Sequence, residues 1–238
     1  MAYSKIKIIS FDLDNTLYDN WPVIQLAEEK SQKYLQSEFE KQRRKYDHQF
    51  FTQIRKELLE SEIASNSNYR SPFDDLSLLR KKVLEKCCEE LNNSDVITEK
   101  AFDIFIDYRS QVTIDKTITT MLEELSNYYL LVSLTNGNCN AEKLSISNYF
   151  RNNYSPVQGY RAKPHPEMLN EMMNDFNVAP EQVLHVGDQI DTDGEAAKLA
   201  GCGFYLLDPF KSKDVVQSCQ VFSQKLLPKK VQEKRVDK

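Results

Sequence analysis

Asp12 and Asp14 stand one residue apart in "FDLDNTLYDN", directly behind the apolar run "IKII" that begins at Ile6. Alternate positions of an extended chain share a face, so the two carboxylates are expected to point into one small volume. Like charges that close repel unless a cation, a shared proton or solvent at a loop tip relieves them. Three later stretches carry polar groups of the same kind. Thr135, Asn136 and Gly137 follow "LLVSL", Lys163 stands in "RAKPHPE", and Asp188, Asp191 and Asp193 crowd into "GDQIDTDGE" behind "VLHVG". A hydroxyl, an amide and the free N–H groups of a helix start after Gly137 would form an anion site. Taken singly, each stretch has a plain reading: a turn or cap, a solvated lysine, an Asp-rich loop without the oxygen spacing of an EF-hand. Their order, and their common place after buried apolar runs, make them one set.

The elements that must position them follow from periodicity. Ile6 to Leu13 is a continuous apolar run, as in a strand covered on both faces. From about Trp21 to about Val112, "EEKSQKYLQSEFEKQRRKYDHQFFTQIRKELL" and "LSLLRKKVLEKCCEELNN" repeat apolar residues at helical spacing. This predicts a bundle of helices with "SNSNYRSPFDD" as its main loop. After Ile114 the chain alternates. Helices are expected at "TITTMLEELSNYY", "AEKLSISNYF", "PEMLNEMMNDF", opened by Pro166, and "GEAAKLAG", closed by Gly201. Strands are expected at "LLVSL", "SPVQGY", "VLHVG" and "FYLL". Such alternation predicts a parallel α/β sheet with helices on both faces, the helical block being inserted after the first strand. Ligands then bind beyond the carboxyl ends of the strands, where the polar stretches fall.

A chain of 238 residues with net charge -5 has no basic footprint for nucleic acid or an anionic membrane, so a small partner is expected. Five cysteines, Cys87, Cys88, Cys139, Cys202 and Cys219, form no C-x-x-C framework and read as reduced packing thiols. No apolar run approaches the roughly 20 residues of a membrane span, and the charged motif comes too early for a signal h-region. A cytoplasmic protein is expected. The basic tail "KKVQEKRVDK" reads as a solvated terminus.

"DLDNT", "LTNGN", "KPHPE" and "GDQIDTD" together resemble the four ordered motifs of the haloacid dehalogenase-like hydrolase superfamily, the first as D-x-D-x-T and the last as G-D-x-x-x-x-D. The resemblance implies a three-layer Rossmann-like parallel sheet in residues 1–19 and 113–238, with an inserted all-helical cap over 20–112. "FDLDNTLYDNWPVI" and "LHVGDQIDTD" are similar to the bacterial group that dephosphorylates flavin mononucleotide and the phosphorylated ribityl-uracil precursor of riboflavin. The roles implied are these. Asp12 is the nucleophile that forms an aspartyl phosphate, and Asp14 the acid and base for leaving group and water. Magnesium is held by Asp12, the Asp14 main-chain carbonyl and Asp188, offsetting repulsion toward an anionic phosphate. The backbone at Leu13, with Thr135, Asn136 and Lys163, holds the phosphate, while Asp193 orients Lys163 or the metal's waters. The implied partner is a small phosphorylated metabolite, with neither nucleic acid nor membrane, and the implied state a monomer or homodimer.

Other residues stay outside these roles. Asp191 reads as a solvated loop carboxylate, His185 as a core histidine, His165 as a surface residue or a substrate contact, and Trp21 as fixing the linker rather than stacking on a flavin. The aromatic side chains Tyr46, Phe50, Phe51, Tyr69 and Phe73 are read mainly as core of the helical block, with a ring-stacking role as the alternative. Three rival functions remain: a phosphatase or phosphomutase for other metabolites such as sugar phosphates or phosphoglycolate, a haloacid dehalogenase, and a non-catalytic interaction protein. The last is disfavoured because no motif position is lost.

Overall fold

The computed structural model describes residues 3–65 and 74–227. Most of "SNSNYRSPFDD", with Tyr69 and Phe73, and the basic tail lie outside the described residues.

Strands β1 (Ile8–Phe11), β2 (Leu130–Leu134), β3 (Asn153–Tyr154), β4 (Val183–Gly187) and β5 (Gly203–Leu206) form one sheet in the order β3-β2-β1-β4-β5. Every neighbouring pair is parallel. β1 is central and buried at all four positions, which is why its sequence is apolar without alternation. Ile9 and Phe11 pack into one core with Ile118, Met121, Leu122 and Phe222, from α5 (Lys116–Ser126) and α9 (Val215–Leu226). Ile8 joins the opposite core with Met168, Met172, Ala196 and Ala200, from α6 (Glu167–Phe176) and α7 (Glu195–Ala200). Each large apolar side chain so buried contributes roughly 1.5–3 kcal/mol. The three-layer α/β sheet is as the periodicity predicts.

Between β1 and α5 stand α1 (Trp21–Lys41), α2 (His48–Ser65), α3 (Leu76–Cys88) and α4 (Ser94–Arg109). They share a separate core that includes Leu35, Ile54, Val83, Leu84 and Ala101. Ser31 Oγ donates to Ala101 O at 2.9 Å and ties α1 to α4. Asp75 caps α3 by accepting from the Ser77 and Leu78 N–H groups. A short helix, α8 (Pro209–Ser212), precedes α9.

Local expectations fail in three places. "AEKLSISNYF" forms two single 3₁₀ turns, Ala141–Lys143 and Ser147–Tyr149, in place of an α-helix. Leu144 and Ile146 are both buried two residues apart, a spacing one helix face does not accommodate. No helix therefore starts behind Gly137, and the helix-start anion site expected there does not form. In "SPVQGY" the strand lies earlier, at Asn153–Tyr154. Pro156 instead opens a 3₁₀ turn that ends on Gly159, whose φ of 99° suits glycine. Pro166 precedes α6 rather than standing inside its first turn.

Candidate active site

The chain beyond Phe11 leaves the extended conformation: Asn15 takes φ 60°, and Asp14 bridges to Tyr18. Strand alternation therefore stops before Asp14. Both carboxylates still line one cleft of 180 Å³ together with Thr135, Asn136, Lys163, Asp188 and Asp193, but they meet different cations.

Asp12 is 6% exposed and Lys163 5%. Lys163 Nζ donates to Asp12 Oδ1 at 2.7 Å, to Asp193 Oδ1 at 2.6 Å and to Leu134 O at 3.0 Å, using all three of its hydrogens. The loop carrying Lys163 is fixed by Asn136. Its Nδ2 donates to Lys163 O at 2.9 Å, and its Oδ1 accepts from Lys163 N at 2.8 Å. Asn136 is expected to bind phosphate through its backbone or side chain, and the side chain is spent on positioning the lysine, which leaves its backbone. Thr135 Oγ1 accepts from Gly137 N at 3.0 Å and lines the cleft. Leu13 puts its side chain in the core, leaving only its backbone for the site.

Asp193 is fixed from several sides. Its Oδ2 accepts from Gln189 N at 3.1 Å, and His185 Nε2 lies 3.3 Å from its Oδ1. His185 Nδ1 lies 2.9 Å from Ser10 Oγ on the adjacent strand, so the expected core histidine has a partner on each ring nitrogen. Gly187 permits this approach, since a Cβ there would stand 2.2 Å from Asp193 Cγ.

Burial pushes the Asp12 carboxyl up to about 7 against the pull of Lys163, with Asp193 adding to the rise. Burial, then Asp193, pushes Asp188 up to about 6. For Asp193 burial is outweighed by Lys163 and His185, which hold it well below the carboxylate range. Burial works against the Lys163 charge, but Asp12 and Asp193 raise it above its ordinary value. Oxygens of Asp12, Asp188 and Asp193 lie within 4.8 Å of one another, so three carboxylates face one ammonium. This all-oxygen set with surplus negative charge fits a hard divalent cation.

Asp14 turns toward the helical block. Arg109 Nη2, at the end of α4, donates to Asp14 Oδ1 at 2.6 Å and Oδ2 at 2.5 Å. Arg109 is 1% exposed. The motif reading missed this residue, although a signal was present: Ala101, Phe105 and Arg109 lie at four-residue spacing on the buried face of α4, a charge where the pattern demands an apolar group.

Asp191 is exposed, as expected of a loop carboxylate. His165 Nδ1 accepts from Glu167 N at 3.2 Å and serves the start of α6. Trp21 is 63% exposed at the start of α1. Of the aromatic residues read mainly as core of the helical block, Phe51 is buried in that core and also lines a cavity beside Asp14, Tyr46 packs against the core, and Phe50 is exposed. Among the described residues all five cysteines are free thiols, and no helix is long and apolar enough to cross a membrane.

A family model described as haloacid dehalogenase-like hydrolase matches residues 6–201, which contain every motif residue of the cleft. The chain belongs to that family. This hydrolase is 26% identical over 228 residues to the 5-amino-6-(5-phospho-D-ribitylamino)uracil phosphatase of Escherichia coli (strain K12), covering 94% of this chain and 91% of the relative. It is 28% identical over 207 residues to a glyceraldehyde 3-phosphate phosphatase of Pyrococcus furiosus, covering 83% of this chain and 78% of the relative. Among solved structures it is similar to a 2-haloacid dehalogenase from Pseudomonas syringae pv. Tomato DC3000. The TM-score is 0.76 at 27% identity, with 86% of this chain and 87% of the other covered.

Proposed function

We propose that this hydrolase is a magnesium-dependent phosphomonoesterase with its catalytic core in residues 1–19 and 113–238 and its cap in 20–112. The observation that carries the reading is the Asp12 carboxylate, buried at the end of the central strand and held by Lys163 beside Asp188 and Asp193. The two phosphatase relatives support the same class.

In the proposed reaction an Asp12 oxygen attacks the phosphorus, and the bond to the leaving oxygen breaks as Asp14 gives that oxygen a proton. Water then attacks the aspartyl phosphate, Asp14 takes a proton from it, and Asp12 is released with inorganic phosphate. Asp12, Asp188 and the Asp14 carbonyl would hold magnesium, which when bound neutralises charge on the phosphoryl oxygens. Thr135, the backbone at Leu13 and Lys163, which would turn one hydrogen from Asp12 to the substrate, hold the remaining equatorial oxygens, and Asp193 keeps Lys163 in place. Arg109 Nη2 donates to both Asp14 oxygens and so fixes the direction of the carboxyl group that carries the proton, leaving each oxygen a second lone pair.

The finer reading takes the substrate as flavin mononucleotide or a phosphorylated riboflavin precursor. It is supported by the Escherichia coli relative, which matches nearly the whole chain. A second reading, dehalogenation, is favoured by the Pseudomonas structure. One experiment tests all of these: phosphate release from a panel of phosphorylated metabolites and halide release from 2-haloacids, each with magnesium or with a chelator. Magnesium-dependent release is expected, and dehalogenation that survives chelation would reject the phosphatase reading. Preference for other esters, with flavin mononucleotide untouched, would reject only the flavin substrate.

Magnesium binding should also depend on pH. Asp12 and Asp188 release their protons only near about 7 and about 6, so below this range protons compete with the metal. Affinity is expected to rise through that window and level off above it, with protons released on binding. Calorimetry in two buffers of different ionisation enthalpy reads this directly, and an affinity independent of pH would contradict it.

A further inference from the structure

Val132, Ser10, His185 and Phe204 are register partners across β2, β1, β4 and β5. Partners in register present their side chains to the same face of the sheet, here the face that packs on α6 and α7 in an apolar core with Ile8 and Val183. Ser10 and His185 are nevertheless polar and fully buried. Two apolar residues would fill this rung without the desolvation cost that a hydroxyl and an imidazole carry.

The pair is satisfied in a definite direction. Ser10 Oγ lies 2.9 Å from His185 Nδ1, and His185 Nε2 lies 3.3 Å from Asp193 Oδ1. Asp193 reaches the ring because Gly187, two residues beyond His185 on the same face, has no side chain to occupy the space. An ionised Asp193 beside Lys163 can only accept, so the hydrogen on Nε2 is donated to it. Burial holds His185 below its ordinary pKa despite Asp193, so the ring is neutral, and its bare Nδ1 accepts from the Ser10 hydroxyl.

Asp12 and Asp193 compete for one ammonium, which stands 2.7 Å from the first and 2.6 Å from the second. A second donor on Asp193 Oδ1 takes up part of the charge of that oxygen and stops the carboxylate from rotating. Lys163 is then held less tightly by Asp193 and keeps its direction toward the strand end. We propose that His185 is a positioning residue for phosphoryl transfer: its Nε2–H, set by Ser10, orients Asp193 and so aims the Lys163 ammonium at the phosphate. The inference rests on the phosphomonoesterase reading and deepens it.

Ser10→Ala combined with His185→Leu removes both polar groups, so neither is left unpaired in the apolar rung. The double variant should stay folded, because Asp193 keeps Lys163 and the Gln189 N–H. Its kcat with magnesium should fall about ten- to a hundredfold, the scale of losing an outer partner of a site. The fall should be equal for phenyl phosphate and para-nitrophenyl phosphate, whose leaving groups differ in acidity, because Lys163 meets the phosphoryl group that they share. His185→Gln carries an amide N–H to the reach of Nε2 and should restore most of the rate, whereas His185→Asn reaches only as far as Nδ1 and should not. If the double variant does not fold, these two polar variants carry the comparison between them. A role in the core alone would lower stability and leave the rate of the folded protein unchanged, so denaturant melts and steady-state kinetics separate the two. Wild-type kcat in the folded double variant, a Gln variant no faster than the Asn variant, or a loss confined to one ester overturns the inference alone. A wild-type protein that releases phosphate from neither the aryl esters nor the metabolite panel removes the phosphatase reading and this inference with it.

Discussion

Asp12→Asn is expected to lower the turnover of a generic aryl phosphate by about ten-thousandfold or more, because a neutral amide is a poor nucleophile and no second carboxylate occupies its place. Asp14 is turned away into the Arg109 fork, and Asp193 is committed to Lys163, Gln189 and His185. The variant should remain folded, since Lys163 keeps its 2.6 Å partner Asp193 and its bond to Leu134 O. Magnesium binding should weaken along with the rate, because the site loses one of its three carboxylates. Steady-state kinetics and a denaturant melt check the two halves separately. Near wild-type turnover by a folded Asp12→Asn protein would sink the covalent mechanism.

The opposite signature is expected at Lys163. Lys163→Met keeps the length of the stem and removes the charge, leaving Asp12 and Asp193 buried without their common cation. Removing one partner of a buried ion pair costs about 3–5 kcal/mol, so this variant should lose stability that Asp12→Asn retains. Its turnover should fall by about a hundred- to a thousandfold, the scale of losing one preorganised group that meets transition-state charge. The stability deficit depends on pH with a definite sign. Asp193 is held below its ordinary value of 3.8 in the folded protein, so its stabilising contribution is present above that value and is lost as pH falls through the folded value. The deficit of Lys163→Met is therefore largest near neutrality and shrinks in acid. Urea melts at several pH values measure it, and a loss under about 1 kcal/mol at neutral pH would mean that the ammonium does not neutralise the pair.

The two variants separate because the cleft is one charge system read from two ends. Asp12 is raised by burial even with Lys163 beside it, whereas Asp193 is lowered by the same lysine with His185 behind it. Burial pushes both carboxyls up, and their neighbours drive the two apart. Asp193 gains His185 and the Gln189 N–H, while Asp12 faces Asp193 and Asp14. This arrangement leaves Asp12 as the carboxylate with most to gain from a cation, which agrees with its proposed place at both phosphorus and metal.

The sequence by itself determined the parallel sheet, the inserted helices and the order in which Asp12, Thr135, Lys163 and Asp188 follow their strands. Unbroken apolar runs such as that of β1 mark strands covered on both faces, and a parallel sheet then brings residues distant in the chain to one edge. Local periodicity failed where tertiary burial outweighed it, as at Leu144 and Ile146, whose two-residue spacing leaves "AEKLSISNYF" as turns. Only the tertiary structure decided what each carboxylate faces. Asp12 and Asp14 look equivalent in "FDLDNT", yet the turn at Asn15 sends one to Lys163 and the other to Arg109, 95 residues away. It alone also paired His185 with Asp193 and spent the Asn136 amide on the Lys163 loop. Such pairings depend on side-chain direction and distance in space. A sequence records them only as spacing, and spacing sets which face a residue occupies without naming the residue it meets there.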